Sequence, residues 1–198
     1  MNTKTSLRKT TSLLPLAALG CATALLSQPA HAMFHLWTIR ELYTNLDGTQ
    51  QFIELFCPFG GQTAIGGMQI QVVEQATSTT HTFNIPSNLG SDTTNHAYLL
   101  STSTLQAVGA PVPDAVIPGN FLFKGASTIA FFGSNGGPYT ALPTDGNLSR
   151  VFPGTTNQTN SPQNFAGATG QVVPEPATWA MIGMGGAGLC VLLRRRAA

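Results

Sequence analysis

Charge is what this chain has least of: 9% of its 198 residues are Asp, Glu, Lys or Arg, against about 25% in an ordinary soluble protein. Hydrophobic residues make up 42%, so the shortage is not the signature of disorder, which combines high charge with too few core-forming side chains. Basic residues are scarcest in the middle. Lys4, Arg8 and Lys9 stand at one end and Arg194, Arg195 and Arg196 at the other. Between Met33 and Val173 only Arg40, Lys124 and Arg150 remain, against Glu41, Asp47, Glu54, Glu74, Asp92, Asp114 and Asp145. Three positive charges against seven negative leave no basic face for a phosphate backbone, which argues against nucleic acid as a partner. Cysteine is nearly absent as well. Cys21 and Cys190 fall in apolar terminal segments, so Cys57 stands alone in the middle of the chain. It has no intrachain disulfide partner there and is expected to pack as a small hydrophobe.

The residue patterns that carry chemistry are missing too. No Gly-x-Ser-x-Gly elbow is present for a serine hydrolase. His35, His81 and His96 are scattered, without the close spacing of zinc ligands. Asp92 and His96 are four apart, but in a Ser/Asp/Thr/Asn loop that gives them no common face. Glu41 and Glu54 could face each other across a hairpin as the carboxylate pair of a glycosidase. The plainer expectation is that they are solvated, Glu41 beside Arg40, since like charges directly opposite cost stability. Asn45, Asp47 and Asp145 are turn residues with oxygens suited to calcium, yet Asn45-x-Asp47-Gly48 is only a fragment of a calcium loop and turn chemistry accounts for it. The glycines at 60–61 and 66–67 lack the Lys-Ser/Thr of a phosphate loop and read as a flexible connection. No catalytic residue, cofactor site or metal ligand is expected.

What the sequence does have is two long apolar stretches, one near each end. Lys4, Arg8 and Lys9 precede the apolar run Leu13–Leu26, and Ala30-His31-Ala32 follows as a small-x-small cleavage site. These three parts in this order make residues 1–32 a secretory signal peptide, cut after Ala32. Sec-type export and a signal peptidase are the partners this implies. Ala18-Leu19-Gly20-Cys21 is a weaker competitor as a lipoprotein box, which wants Leu where Ala18 stands. Near the other end, Val173-Pro174-Glu175-Pro176 leads into the uncharged run Ala177–Leu193 and then Arg194-Arg195-Arg196. Seventeen residues of helix reach roughly 25 Å at about 1.5 Å each, near the short limit for crossing a bilayer. The arginines would stay cytoplasmic, which leaves the middle of the chain outside the inner membrane. Two prolines just before the run forbid extending a helix upstream and hold the junction extended, open to a protease.

This tripartite tail, Val173 to Ala198, resembles the PEP-CTERM sorting signal of Gram-negative bacteria. The resemblance implies recognition by an exosortase, a membrane cysteine protease that would cleave near Pro174-Glu175-Pro176. It further implies a body that is transiently anchored in the periplasm and finally placed at the cell surface or outside, and an association with exopolysaccharide and biofilm. An uncut C-terminal anchor is the simpler alternative.

Between the two ends, short apolar runs alternate with turn residues. Phe34–Tyr43 and Gln51–Phe56 flank the Asp47-Gly48 turn and read as a hairpin. Further strands are expected around Met68–Val73, Thr79–Ile85, Ala97–Ser101, Ser127–Phe132, Tyr139–Leu142 and Leu148–Phe152. Ser103–Val108 is expected to form a turn or two of helix capped by Ser103 or Thr104. Seven or eight such strands, with no long amphipathic helix, suggest a β-sandwich or barrel. Glu41-Leu42-Tyr43, Asp47-Gly48 and Phe52-Ile53-Glu54-Leu55 look like the opening hairpin of a lamin-tail-like domain. Ala97-Tyr98-Leu99-Leu100, Pro113-Asp114, Asn160-Ser161-Pro162 and Asn164-Phe165-Ala166-Gly167 fit the same pattern. That resemblance implies an immunoglobulin-like β-sandwich, exported as an accessory module. The expected fold class is therefore all-β, with a signal-peptide helix and one C-terminal transmembrane helix. The expected domains are a signal peptide (1–32), the sandwich (33–153), a polar loop or linker (154–172) and the sorting signal (173–198: motif 173–176, membrane helix 177–193, basic tail 194–198). The expected function is a non-catalytic structural or adhesive envelope or matrix protein. Alternatives are a glycan- or ligand-binding module using Trp37, Tyr43 or Phe59 as exposed aromatics, and a hydrolase of unrecognised type.

Overall fold

A computed structural model describes residues 36–132 and 135–173. The expected signal peptide with Ala30 and Ala32, His35, and the tail from Pro174 through Arg194, Arg195 and Arg196 lie outside the described residues. Among the described residues the chain is built almost wholly of strands: β1 (Thr38–Thr44), β2 (Gln51–Cys57), β3 (Gln69–Glu74), β4 (Thr80–Asn84), β5 (His96–Ser101), β6 (Ala115–Val116), β7 (Ser127–Phe131), β8 (Asn135–Tyr139), β9 (Leu148–Val151) and β10 (Asn157–Thr159). They form a six-stranded sheet in the order β10-β9-β1-β2-β5-β6 and a four-stranded sheet in the order β4-β3-β7-β8. No helix among the described residues is long and apolar enough to cross a membrane, and the run 177–193 lies outside them.

One face of each sheet feeds a single hydrophobic cluster. Ile39 and Leu42 of β1, Ile53, Leu55 and Cys57 of β2, and Tyr98 and Leu100 of β5 meet Ile70 and Val72 of β3 and Ile129 and Phe131 of β7. Period-2 alternation puts these side chains on one face of β2, β3, β5 and β7. The four-stranded sheet keeps its other face wet, with Gln69 and Gln71 exposed between the buried positions of β3. The six-stranded sheet does not. In β2 six of seven residues are buried, so both of its faces are covered. Cys57 packs as expected, fully buried and unpaired. Gln51 is buried too, and its amide donates to Thr44 Oγ1 (3.0 Å) and the Leu122 carbonyl (2.8 Å) while accepting from the Leu122 N–H (3.0 Å). That arrangement satisfies the polar group and ties the chain after β6 to the first hairpin.

Several expectations are corrected. The strand read at Tyr139–Leu142 lies earlier, at Asn135–Tyr139. At Gly136 any Cβ would stand 2.0 Å from the Ile129 carbonyl oxygen, so the edge strand needs a glycine there. The strands β6 and β10 carry no apolar alternation: β10 is exposed and held by pairing with β9, while β6 pairs with β5 and buries only Ala115 in the shared cluster. Ser103–Val108 is a 3₁₀ helix with Thr102 at its N-cap, not Ser103 or Thr104. The Thr102 hydroxyl makes no cap because it accepts the Gln51 N–H (3.1 Å) instead. The stretch 60–67 is packed rather than loose, with Gln62 and Ile65 buried.

Leu55→Ala, which empties a fully buried site in the shared cluster, is expected to cost about 2–5 kcal/mol of stability. Urea unfolding of the 36–173 body checks this.

Candidate functional site

The outer face of the six-stranded sheet begins with an irregularity in β1. The pairing runs Ile39↔Leu55 and then Glu41↔Glu54, with Arg40 as the extra residue of a bulge. A bulge breaks the alternation. Ile39 and Leu42 therefore point into the shared cluster, while Arg40 and Glu41 both reach the opposite face, where Glu54 lies. Glu41 and Glu54 do face each other, as the hairpin reading allowed. The expectation that they are solvated is wrong: they are 1% and 0% exposed. Two like charges opposite each other and away from water need compensation.

Arg40 supplies part of it. Its Nε donates to Glu54 Oε1, and its guanidinium lies 4.6 Å from the centre of the Phe56 ring. The rest comes from the far end of the chain. Ser161 N–H donates to Glu41 Oε1 (3.0 Å), and Gln163 N–H donates to Glu54 Oε2 (2.7 Å). Phe165 N–H donates to Asp114 Oδ2 (2.8 Å), which also accepts the Leu99 N–H (2.7 Å). In an extended segment, alternate residues direct their groups to one side, so residues 161, 163 and 165 offer one row of donors. Glu41, Glu54 and Leu99 stand in register across β1, β2 and β5, and Asp114 is bonded to Leu99. The segment thus crosses the strands over a row of carboxylates.

It then turns at Gly167 (φ +82°) and comes back. Gln163 and Thr169 form a bridge, and Gly170 N–H donates to the Pro162 carbonyl (3.1 Å). The return ends at Val172, fully buried with Tyr43, Phe52, Leu99, Leu105 and Val108. The Asn160 side chain binds the Val172 backbone from both sides: its Oδ1 accepts the N–H (2.6 Å) and its Nδ2 donates to the carbonyl (3.0 Å). Residues 160–172 are therefore a strap that closes the sheet's outer face. Gly109 and Gly170 let the backbones meet, since a Cβ on Gly170 would lie 2.2 Å from the Gly109 carbonyl oxygen. The described residues end one position later. Val173 is 53% exposed and held by its N–H on the Val108 carbonyl (3.0 Å). The other residues of the sorting motif follow outside the described residues.

The remaining candidates fare differently. Trp37 and Tyr43, taken as exposed aromatics, are fully buried, and only Phe59 of the three is exposed. Trp37 spends its ring N–H on the Gln62 carbonyl (2.9 Å), and Tyr43 its hydroxyl on that of Gly146 (3.1 Å). Asn45 and Asp145 are brought together as a bridge. However, Asp145 Oδ1 accepts the N–H groups of Asn147 and Leu148, and Asp47 Oδ1 accepts the N–H and the hydroxyl of Thr49. The turns use these oxygens themselves. Among the described residues no group of three His, Cys, Asp or Glu is gathered to hold a metal. His96 binds the Thr94 carbonyl (2.9 Å) and packs on Phe165. Asp114, Asn160 and Asn164 were not singled out as site residues in the sequence, although each lay inside the fragments that carried the lamin-tail likeness.

The model of the PEP-CTERM protein-sorting motif matches residues 172–196. It begins on the last buried residue of the strap. The chain carries this exosortase-associated sorting motif where the sequence placed it. No curated protein and no solved structure matches the chain.

Burial raises the pKa of Glu54, which Arg40 partly offsets. Burial likewise raises that of Asp114 against the pull of the Leu99 and Phe165 N–H groups. A carboxyl whose folded pKa is raised favours the fold fully below its ordinary pKa, about 4, and that contribution is lost as pH rises through the raised value. The urea midpoint of the body is therefore expected to fall as pH is raised from about 4 through this window. Asp114→Asn, which keeps an acceptor and removes the charge, should flatten the fall; an unchanged pH profile in that variant would contradict the assignment. Gly170→Ala forces backbone apart at the strap and is expected to cost about 1–3 kcal/mol, read from the same unfolding curves.

Proposed function

We propose that the chain is an exported protein handed by its C-terminal tail to an exosortase, and that its body is a non-catalytic structural or adhesive β-domain of the cell envelope or extracellular matrix. The observation that carries the reading is the sorting-motif match at residues 172–196, beginning on the strap's buried Val172. On this reading the apolar run 177–193 holds the protein in the inner membrane with the body on the periplasmic side. Cleavage near Pro174-Glu175-Pro176 then sends it to the surface.

A body without catalysis is supported by the fate of its carboxylates. The opposed pair Glu41 and Glu54 is buried under the strap and occupied by Arg40, Ser161 and Gln163. A glycosidase pair needs room for a sugar between its carboxyls. The glycan-binding alternative keeps only Phe59 of its three aromatics at the surface. The lamin-tail-like, immunoglobulin-like reading of the body draws support from the strap. The fragments that carried it, Glu41–Tyr43, Phe52–Leu55, Pro113-Asp114 and Asn160–Gly167, meet in one site.

Replacing Pro174-Glu175-Pro176 by three alanines should leave full-length, membrane-bound protein where the parent is shortened and released. Immunoblots of membrane and medium fractions read the outcome. A variant shortened and released like the parent would remove the sorting assignment.

A further inference from the structure

We propose that, before processing, the exit face of the body lies against the lipid headgroup surface, with Val112 and Val173 in contact with it. The inference rests on the reading of residues 177–193 as a bilayer-spanning run. It adds to that reading how the body is carried.

The first argument is reach. Val172 is buried and its backbone is held on both sides by Asn160, so the body's last fixed point is Val173, bonded to Val108. Four residue steps separate Val173 from Ala177, the first residue of the apolar run. Even a fully extended chain covers only about 14 Å in four steps. A flexible linker would let the body drift away from the membrane, but residues 160–172 are strapped to the sheet and supply no slack. The body's surface at Val173 therefore stays within about 14 Å of the hydrocarbon core, of which the headgroup layer on that side takes up roughly 5–7 Å.

The second argument is the chemistry of that face. Val173 N–H donates to the Val108 carbonyl, a Cβ on Gly170 would meet Ala110 and Pro111, and Asn164 Nδ2 donates to the Val112 carbonyl (2.9 Å), so residues 108–112 line this face from the exit at Val108 to the strap's turn at Asn164. The two stretches that build it, 102–113 and 160–173, contain no Asp, Glu, Lys or Arg. Val112 (59% exposed) and Val173 (53%) are among the few large apolar side chains left in solvent. A small apolar, uncharged face suits the headgroup boundary, where buried apolar area supplies the attraction. A phosphate-binding face would need basic groups, and none is present in either stretch.

The test uses the full chain after signal removal, with Cys190→Ser, reconstituted in phosphatidylethanolamine/phosphatidylglycerol vesicles containing a lipid with a nitroxide on its headgroup. A fluorophore is placed at Val112→Cys or, as a remote control, at Thr82→Cys, an exposed position in β4 of the other sheet. Quenching at 112 should exceed that at 82 by roughly threefold or more. Inserting ten Gly/Ser residues between Val173 and Pro174 should reduce the ratio, and Val112→Asp, read from a label at Ala107→Cys, should lower quenching. Equal quenching at 112 and 82 in protein that floats with the vesicles overturns the apposition while leaving the membrane anchor intact. Protein that fails to float overturns the anchor reading and this inference together. A difference that arises only when exosortase is added assigns the face to the protease and overturns the lipid contact.

Discussion

A carboxylate taken out of water must be given donors, and three of them under one strap set the terms for this fold. Glu41, Glu54 and Asp114 sit on or beside neighbouring strands of the six-stranded sheet. Residues about 110 to 120 positions further on supply the N–H groups for the two glutamates. Leaving such groups unmet would cost several kcal/mol each. The carboxylates thus make the sheet's outer face unfavourable until the strap arrives, and specific for that strap when it does. A purely apolar face would accept many coverings. A row of acceptors at alternate positions accepts an extended segment with donors in step.

The same constraint explains why apolar and polar residues share that face. Tyr43, Phe52 and Leu99 form its apolar half, and Leu105, Val108 and Val172 cover them. The tyrosine and phenylalanine rings stack at 5.2 Å. The apolar half provides most of the driving force, and the carboxylate half fixes register. Arg40 belongs to both: the bulge that displaces it lets the guanidinium reach Glu54 while lying over Phe56. The pairing is half exposed at the arginine, so its value lies in neutralising a buried partner more than in raw attraction.

Function follows from where the strap ends. The sorting motif starts at residue 172, which is also the plug that completes the outer cluster. Folding and addressing therefore meet at one valine. Val173, the last described residue, is held beside Val108 by its N–H on the Val108 carbonyl. Where the following apolar run is held in a bilayer, as proposed, the strapping of residues 160–172 leaves only the chain after Val173 as slack.

Much of this was legible in the residues. The tail declared itself because a charge-free run between Pro-Glu-Pro and three arginines is a one-dimensional pattern, and the first hairpin did so through Asp47-Gly48 between apolar runs. Alternation in Met68–Val73 gave one buried and one wet face, as observed. What sequence could not settle was anything set by a partner far along the chain. Glu41 and Glu54 read as solvated because their donors are at Ser161 and Gln163, and Trp37 and Tyr43 read as available because nothing local says what covers them. Polar Asn157–Thr159 and Gly-rich Asn135–Tyr139 are strands only because neighbours pair with them. Local periodicity reports the strand's own two faces. Which face is wet, and where the chain becomes free to leave, is decided by long-range packing that no short window contains.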